Sequence, residues 1–231
     1  MKYNKIIKAR FIERTNRFVA YCDIDGKVEK VHVKNTGKCK ELLVPGYEVY
    51  LEESNNPARL TKYSLIAVRK GDRLINMDSQ VTNKIVYEAL VNKSLILPDF
   101  DEDIILIKPE KTYGNSRFDI YIEGKTKKAF LEIKGCTLEI DGVVKFPDAK
   151  TERGVKHVKE LIKAREEGYL SYIILVIQME DVLYFTPNID MHKEFGDILK
   201  EAYEKGVKVL AYNSKVEVDN IVLNKPVKVI L

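Results

Sequence analysis

Tryptophan is absent from this 231-residue chain, and cysteine and histidine occur three times each. No apolar run approaches the ~20 residues that span a bilayer. Each scarcity closes a class of function. Cys22, Cys39 and Cys136 form an odd set without Cys-X-X-Cys spacing, so neither a disulfide framework nor a zinc site is expected. Cys22 alternates with Phe18 and Ala20 on an expected strand and belongs in a core, and Cys136 is read as buried packing. His32 and His192 have no companions that would make a ligand set. The Met-Lys-Tyr-Asn start has no secretory h-region, so the expected location is cytoplasmic, with no membrane partner.

What is present is charge. With 45% hydrophobic and 32% charged residues, the composition is that of a soluble globular protein, long enough for two small domains or one large one. The net charge of +4 is unevenly spread: residues 1–80 hold 16 Lys plus Arg against 10 Asp plus Glu, and the remaining 151 hold 23 against 25. Basic charge gathers where a polyanion would be held, and acidic charge where a cation would be.

The first eighty residues read as five short strands: Lys5–Ile12, Phe18–Ile24, Lys27–Val33, Glu48–Leu51 and Tyr63–Arg69. Asp25-Gly26 is a two-residue hairpin signal, because type I′ turns require positive φ. With one irregular insertion at Asn35–Gly46, the pattern fits a small barrel, either generic or of the OB type. After a break at Met77–Val81, Thr82 can cap a helix that buries Ile85, Val86, Ala89 and Leu90. Strands are expected across 104–138. An amphipathic helix from Thr151 to Glu167 buries Val155, Val158, Leu161 and Ile162 and ends at Gly168. Ser171–Gln178 is a strand buried on both faces, followed by a helix at Lys193–Lys205 and a strand at Val207–Tyr212.

The richest stretch is Ser116-Arg-Phe-Asp119 with Glu132-Ile-Lys134. If Gly124–Lys127 form a hairpin loop, Asp119 lies opposite Glu132 and Arg117 opposite Lys134. Phe118, Ile120 and Ile122 then share the other face with Ala129, Leu131 and Ile133. Opposed carboxylates repel unless a cation lies between them. The same register also makes diagonal ion pairs, Asp119 with Lys134 and Arg117 with Glu132, worth roughly 0–1 kcal/mol. Spacing alone leaves both readings open.

An Asp followed on the next strand by Glu-X-Lys resembles the PD-(D/E)XK nuclease pattern. The wider blocks, Phe130–Thr137, Phe146–Ala149 and Thr151–His157, resemble the sugar fermentation stimulation protein family. Asn35-Thr-Gly37, Pro45-Gly46 and Arg59–Tyr63 are similar to that family's N-terminal blocks. The resemblance covers nearly the whole chain. It implies an α+β two-domain protein, with an OB-like β-barrel at 1–80 and a restriction-endonuclease-like α/β domain at 81–231. It further implies a site of Asp119, Glu132 and Lys134, with Asp119, Glu132 and the Ile133 carbonyl as ligands of Mg2+ or Mn2+. Glu88, on the first helix, is a candidate additional ligand, as in some related nucleases.

Arg10, Arg14, Arg17, Lys34, Lys38, Lys40, Arg59 and Lys62 are candidates for phosphate contacts in the barrel, and Arg117, Arg153 and His157 in the second domain. Arg153 and His157, at i and i+4, are expected on a flank away from the apolar stripe, with His157 a DNA contact, a structural hydrogen bond or a proton donor. Phe11, Phe18, Tyr21 and Tyr63 are read chiefly as barrel core, with stacking on bases as the other use. Asp148 and Glu152 suit a helix start, and Gln178 reads as structural. Two functions follow. One is a largely sequence-nonspecific DNA-binding protein, for single or double strands, with a metal-dependent phosphodiester-hydrolysing site. The other is a non-catalytic DNA-binding regulator of sugar metabolism with a vestigial nuclease fold.

Overall fold

Period-2 alternation and tight turns make the first part β. In the computed structural model, which describes residues 1–231, this part forms β1 (Ile6–Asn16), β2 (Val19–Ile24), β3 (Lys27–Val33), β4 (Glu48–Glu53), β5 (Tyr63–Lys70) and β6 (Arg73–Asn76). Asp25 and Gly26 have φ of 52° and 85°, so two residues suffice to reverse β2 into β3. The strands are ordered β3-β2-β1-β4-β5-β6, and a parallel pairing of β3 with β5 closes the barrel. β6, a strand beyond the five expected, folds back on β5 through Gly71-Asp72. Phe11 and Tyr63 fill the interior as expected, while Phe18 is 53% exposed.

The remainder is α1 (Val81–Val91), β7 (Leu106–Tyr113), β8 (Ser116–Glu123), β9 (Lys128–Cys136), β10 (Leu138–Ile140), β11 (Val143–Phe146), α2 (Glu152–Glu166), β12 (Leu170–Ile177), β13 (Tyr184–Pro187), α3 (Lys193–Glu204), β14 (Lys208–Glu217) and β15 (Asn220–Val229). One nine-stranded sheet runs β10-β11-β13-β15-β14-β12-β9-β8-β7. β12 is central and parallel to both β9 and β14. Its Tyr172, Ile174 and Val176 pack with α1, and its Ile173, Leu175 and Ile177 with α2 and α3. A strand covered on both faces reads as an unbroken apolar run, which explains its legibility.

Two local expectations are corrected. Thr82 does not cap α1: Gln80 occupies that position with no side-chain cap, and the Thr82 hydroxyl donates to the Ser79 carbonyl. Thr151 does cap α2, accepting from the Gly154 N–H at 3.0 Å. Phe118 does not share a face with Ile120 and Ile122. It lies on the α2 side, with its ring 5.1 Å from that of Phe130. The β8–β9 ladder ends at Ile120–Leu131, and Glu110 in β7, opposite Asp119, has φ of 55°. Freed from its partner, β8 rolls over by one residue.

Barrel and sheet share a joint of buried polar groups. The Asn76 N–H donates to the Gln178 carbonyl, and the Gln178 amide donates to Asn76 Oδ1 and the Asp78 carbonyl. Glu139 takes Arg73 at 2.9 Å and Lys70 at 3.2 Å. Apolar contact is continuous across the joint, through Cys39, Leu42, Cys136, Val144 and Met179. No helix is long and apolar enough to cross a membrane.

Candidate active site

The site lies where β8 and β9 part. The ladder has the register expected from the four-residue loop, and its next step would set Asp119 against Glu132. That step is not made by backbone. Asp119 Oδ2 instead accepts the Ile133 N–H at 2.7 Å, and Asn83 of α1 donates to Oδ1 at 2.8 Å. The side chain thus replaces a carbonyl that the ladder would have supplied, and it holds the fork open.

Glu132 points toward α2. Its Oε1 accepts from Lys134 Nζ and from His157 Nδ1, the latter at 2.5 Å. Oε2 is buried and has no partner. Arg153 Nε donates to His157 Nε2 at 3.3 Å, so the ring proton sits on Nδ1, facing Glu132. His157 is therefore buried against Phe118 and occupied at both nitrogens, not on an open flank. This excludes it, in this arrangement, from handing a proton to a departing group.

The two carboxyls are driven apart. Burial, and behind it the Glu132 charge, push Asp119 above its ordinary value. Burial also acts to raise Glu132, but the His157 hydrogen bond and the Lys134 charge outweigh it and hold that carboxyl below its ordinary value. The fork therefore combines an unpartnered buried carboxylate oxygen, a second carboxyl that resists ionising, and a lysine 18% exposed. Oxygen donors without a free thiolate or imidazole nitrogen suit a hard divalent cation rather than zinc.

Glu88 is not at the fork. It lies 2.8 Å from the Met1 ammonium, while Asn83, which nothing in the sequence marked, is what α1 contributes. A second acidic cluster, Glu152, His192 and Glu194, sits at the starts of α2 and α3. There the Thr151 N–H donates to His192 Nδ1, leaving the proton on Nε2 toward Glu152, and Glu194 is paired with Lys159. It is complete without an ion.

The barrel cations divide sharply. Arg14 is engaged by backbone: its guanidinium donates to the carbonyls of Asn16, Arg17, Asn35, Gly37 and Lys38 and braces the insertion. Lys34 is 3.2 Å from both Glu52 and Asp78, Lys62 pairs with Glu53, and Arg59 donates to Ser64. Arg117 pairs with Glu110 at the surface. Arg10 touches only the Gly46 carbonyl, at 3.4 Å. Arg17, Lys38 and Lys40 line one cavity of about 450 Å³ and make no ion pair.

Comparison with known proteins agrees with this architecture. The model of the SfsA N-terminal OB domain matches residues 12–77, and that of the sugar fermentation stimulation protein RE domain matches residues 80–220. The sugar fermentation stimulation protein homolog of Clostridium beijerinckii is 57% identical over 231 residues, covering 100% of both chains. That of Ruminiclostridium cellulolyticum is 52% identical over 229 residues, covering 99% of each. A solved structure, Pyrococcus furiosus SfsA in complex with Ca2+, superposes with a TM-score of 0.90 at 27% identity, covering 100% of this chain and 98% of that one.

Proposed function

The chain belongs to the sugar fermentation stimulation protein family, and on that premise we propose that it binds nucleic acid through its barrel and hydrolyses phosphodiester bonds at the fork with Mg2+ or Mn2+. The observation that carries the reading is Glu132 Oε2, a buried carboxylate oxygen without a partner beside a second carboxyl. Leaving such an oxygen unsatisfied costs about 1–3 kcal/mol, or more for a charged group, and a cation removes that cost. Asp119 and Glu132 would hold the ion, with the Ile133 carbonyl as a third ligand from the chain. A homologue described with Ca2+ supports the same choice of hard, oxygen-bound ion.

Bound there, the ion supplies Lewis-acid neutralisation of charge developing on a phosphate. The remaining work belongs to the chain. Asn83 and the Ile133 N–H fix Asp119, and His157 and Lys134 fix Glu132 through Oε1, leaving Oε2 without a partner. Lys134 reaches solvent from the same face and can offset phosphate charge or orient an attacking water. The alternative, a DNA-binding regulator that never cuts, draws support from Oε1: Lys134 already neutralises that oxygen and His157 donates a hydrogen bond to it, so the fold stands without an ion.

Calorimetric titration with Mn2+ tests the first step. Wild type should bind, and Glu132→Gln and Asp119→Ala should not, with the fold of each intact by circular dichroism. Incubating labelled single- and double-stranded DNA and RNA with Mn2+, Mg2+ or chelator tests the second. Metal affinity unchanged in both variants would defeat the assignment, and absence of cleavage under every condition would favour the regulator.

A further inference from the structure

Which form of nucleic acid fits is written in the route between the barrel and the fork. Arg17, Lys38 and Lys40 stand free of ion pairs around the 450 Å³ cavity, which also has Glu13 on its wall and is bounded across the joint by Ala149. Phe18, which follows Arg17 in the turn between β1 and β2, leaves 53% of its surface exposed in a barrel whose Phe11 and Tyr63 are buried. Thr36 and Gly37 line this cavity and also a second, of about 120 Å³, bounded by Gly135, Thr137, Lys145 and Gln178. That second cavity lies at the carboxyl ends of the parallel strands β9 and β12, where α/β sheets commonly bind ligands. Lys134 immediately precedes Gly135 in β9.

The Asn35–Lys38 segment overhangs this route and is pinned. The Asn35 amide donates to the Met77 carbonyl, its Oδ1 accepts the Gly37 N–H, and Arg14 clamps three of the segment's carbonyls. Gly37 approaches Asp148 so closely that a Cβ there would collide with Oδ2. A crevice of about 120 Å³ is on the scale of a phosphate or a base and not of a duplex. A duplex, stiff over ~150 bp, cannot be bent into it, whereas a single strand can enter one nucleotide at a time.

We infer that the polynucleotide handled here is single-stranded: it crosses Arg17, Lys38 and Lys40, stacks a base on Phe18, and passes beneath Thr36 toward Lys134. Only the last step of this path rests on the hydrolytic reading. Binding to fluorescent 20-mers of oligothymidine, oligouridine and duplex DNA, by anisotropy in chelator, tests it without reference to cutting. Both single strands, or the one whose sugar the protein accepts, should bind at least about tenfold tighter than duplex. Phe18→Ala, a surface change that should leave the melting temperature unaltered, should weaken single-strand binding about fivefold or more and spare duplex. Replacing Arg17, Lys38 and Lys40 together by Ala should flatten the single-strand salt slope by ~0.7 for each phosphate no longer neutralised. Equal or tighter binding of duplex, no binding of either form, or single-strand affinity indifferent to Phe18→Ala would overturn the inference. Single-strand binding without cleavage under any metal leaves it standing and removes the hydrolytic reading instead.

Discussion

On the barrel's outer surface, some carboxylates meet lysines that reach into water. Glu48 takes Lys8, and Glu53 takes Lys5 and Lys62, with each lysine side chain more than half exposed. At the fork, Glu132 takes Lys134 and His157 with 1% of its own side chain exposed. Solvent screens the first set, and each such pair contributes ~0–1 kcal/mol. In the second set the charges have exchanged water for one another, and breaking such a pair costs about 3–5 kcal/mol. The same residue types therefore serve different ends. These outer barrel charges can be rearranged at little cost, while the fork charges are held in one geometry.

The contrast breaks most visibly at Lys134. Lys134→Ala should lower metal-dependent cleavage on the order of 10²-fold or more, because a charge stabiliser at the reacting phosphate is removed. Nucleic-acid affinity should change by less than about twofold, since one lysine is a small part of the phosphate contacts. Full cleavage by this variant would place the chemistry elsewhere. His157→Ala should weaken Mn2+ binding about 10–100-fold by releasing Glu132, the usual loss when a ligand's outer partner is removed. His157→Asn, whose amide N–H can replace Nδ1–H, should recover most of it. Calorimetry showing wild-type affinity in His157→Ala would deny the positioning role.

A smaller effect should appear in stability against pH. Asp119 titrates above its ordinary value in the folded protein, so folding favours its protonated form. Stability without a cation should then fall as pH rises from ~4, the unfolded value, through the raised folded one. Asp119→Asn keeps an acceptor for the Ile133 N–H, can be met by the Asn83 amide turned to present its oxygen, and removes the titration. In chelator it should melt higher than wild type at neutral pH, by about 2–4 °C for each kcal/mol relieved, and converge with it near pH 4. Scanning calorimetry across that range decides, and a gap independent of pH would refute the sign. The smallest change is expected at Glu88, where Glu88→Gln should leave Mn2+ affinity within about twofold, because five residues of helix carry it ~7.5 Å along and ~140° around from Asn83.

That last geometry explains what the sequence made legible and what it hid. The hairpin was readable because a four-residue loop and strict alternation set the register of Asp119 and Glu132. α2 was readable because its cap, apolar stripe and terminal glycine are all local signals. Asn83 was hidden: an asparagine near a helix start carries no sign of what it faces. The bracing role of Arg14 was hidden for a similar reason. A basic residue on a strand suggests a phosphate contact, whereas three of the five carbonyls it serves belong to a segment some twenty residues further on. The added strands β10, β11, β13 and β15 are short or half-exposed, too weakly patterned to declare themselves.

The joint built on Gln178, Asn76 and Asp78 has a bearing on how this protein can be taken apart. Its apolar surround belongs to neither half: Cys39 and Leu42 come from one, Val144 and Met179 from the other. Severed at residue 80, each fragment would present a greasy scar studded with unmet hydrogen-bonding groups. The barrel is thus a poor cassette for grafting onto another nuclease, and any hinge-bending between the halves would have to melt the joint first. The two halves should therefore unfold together rather than one after the other.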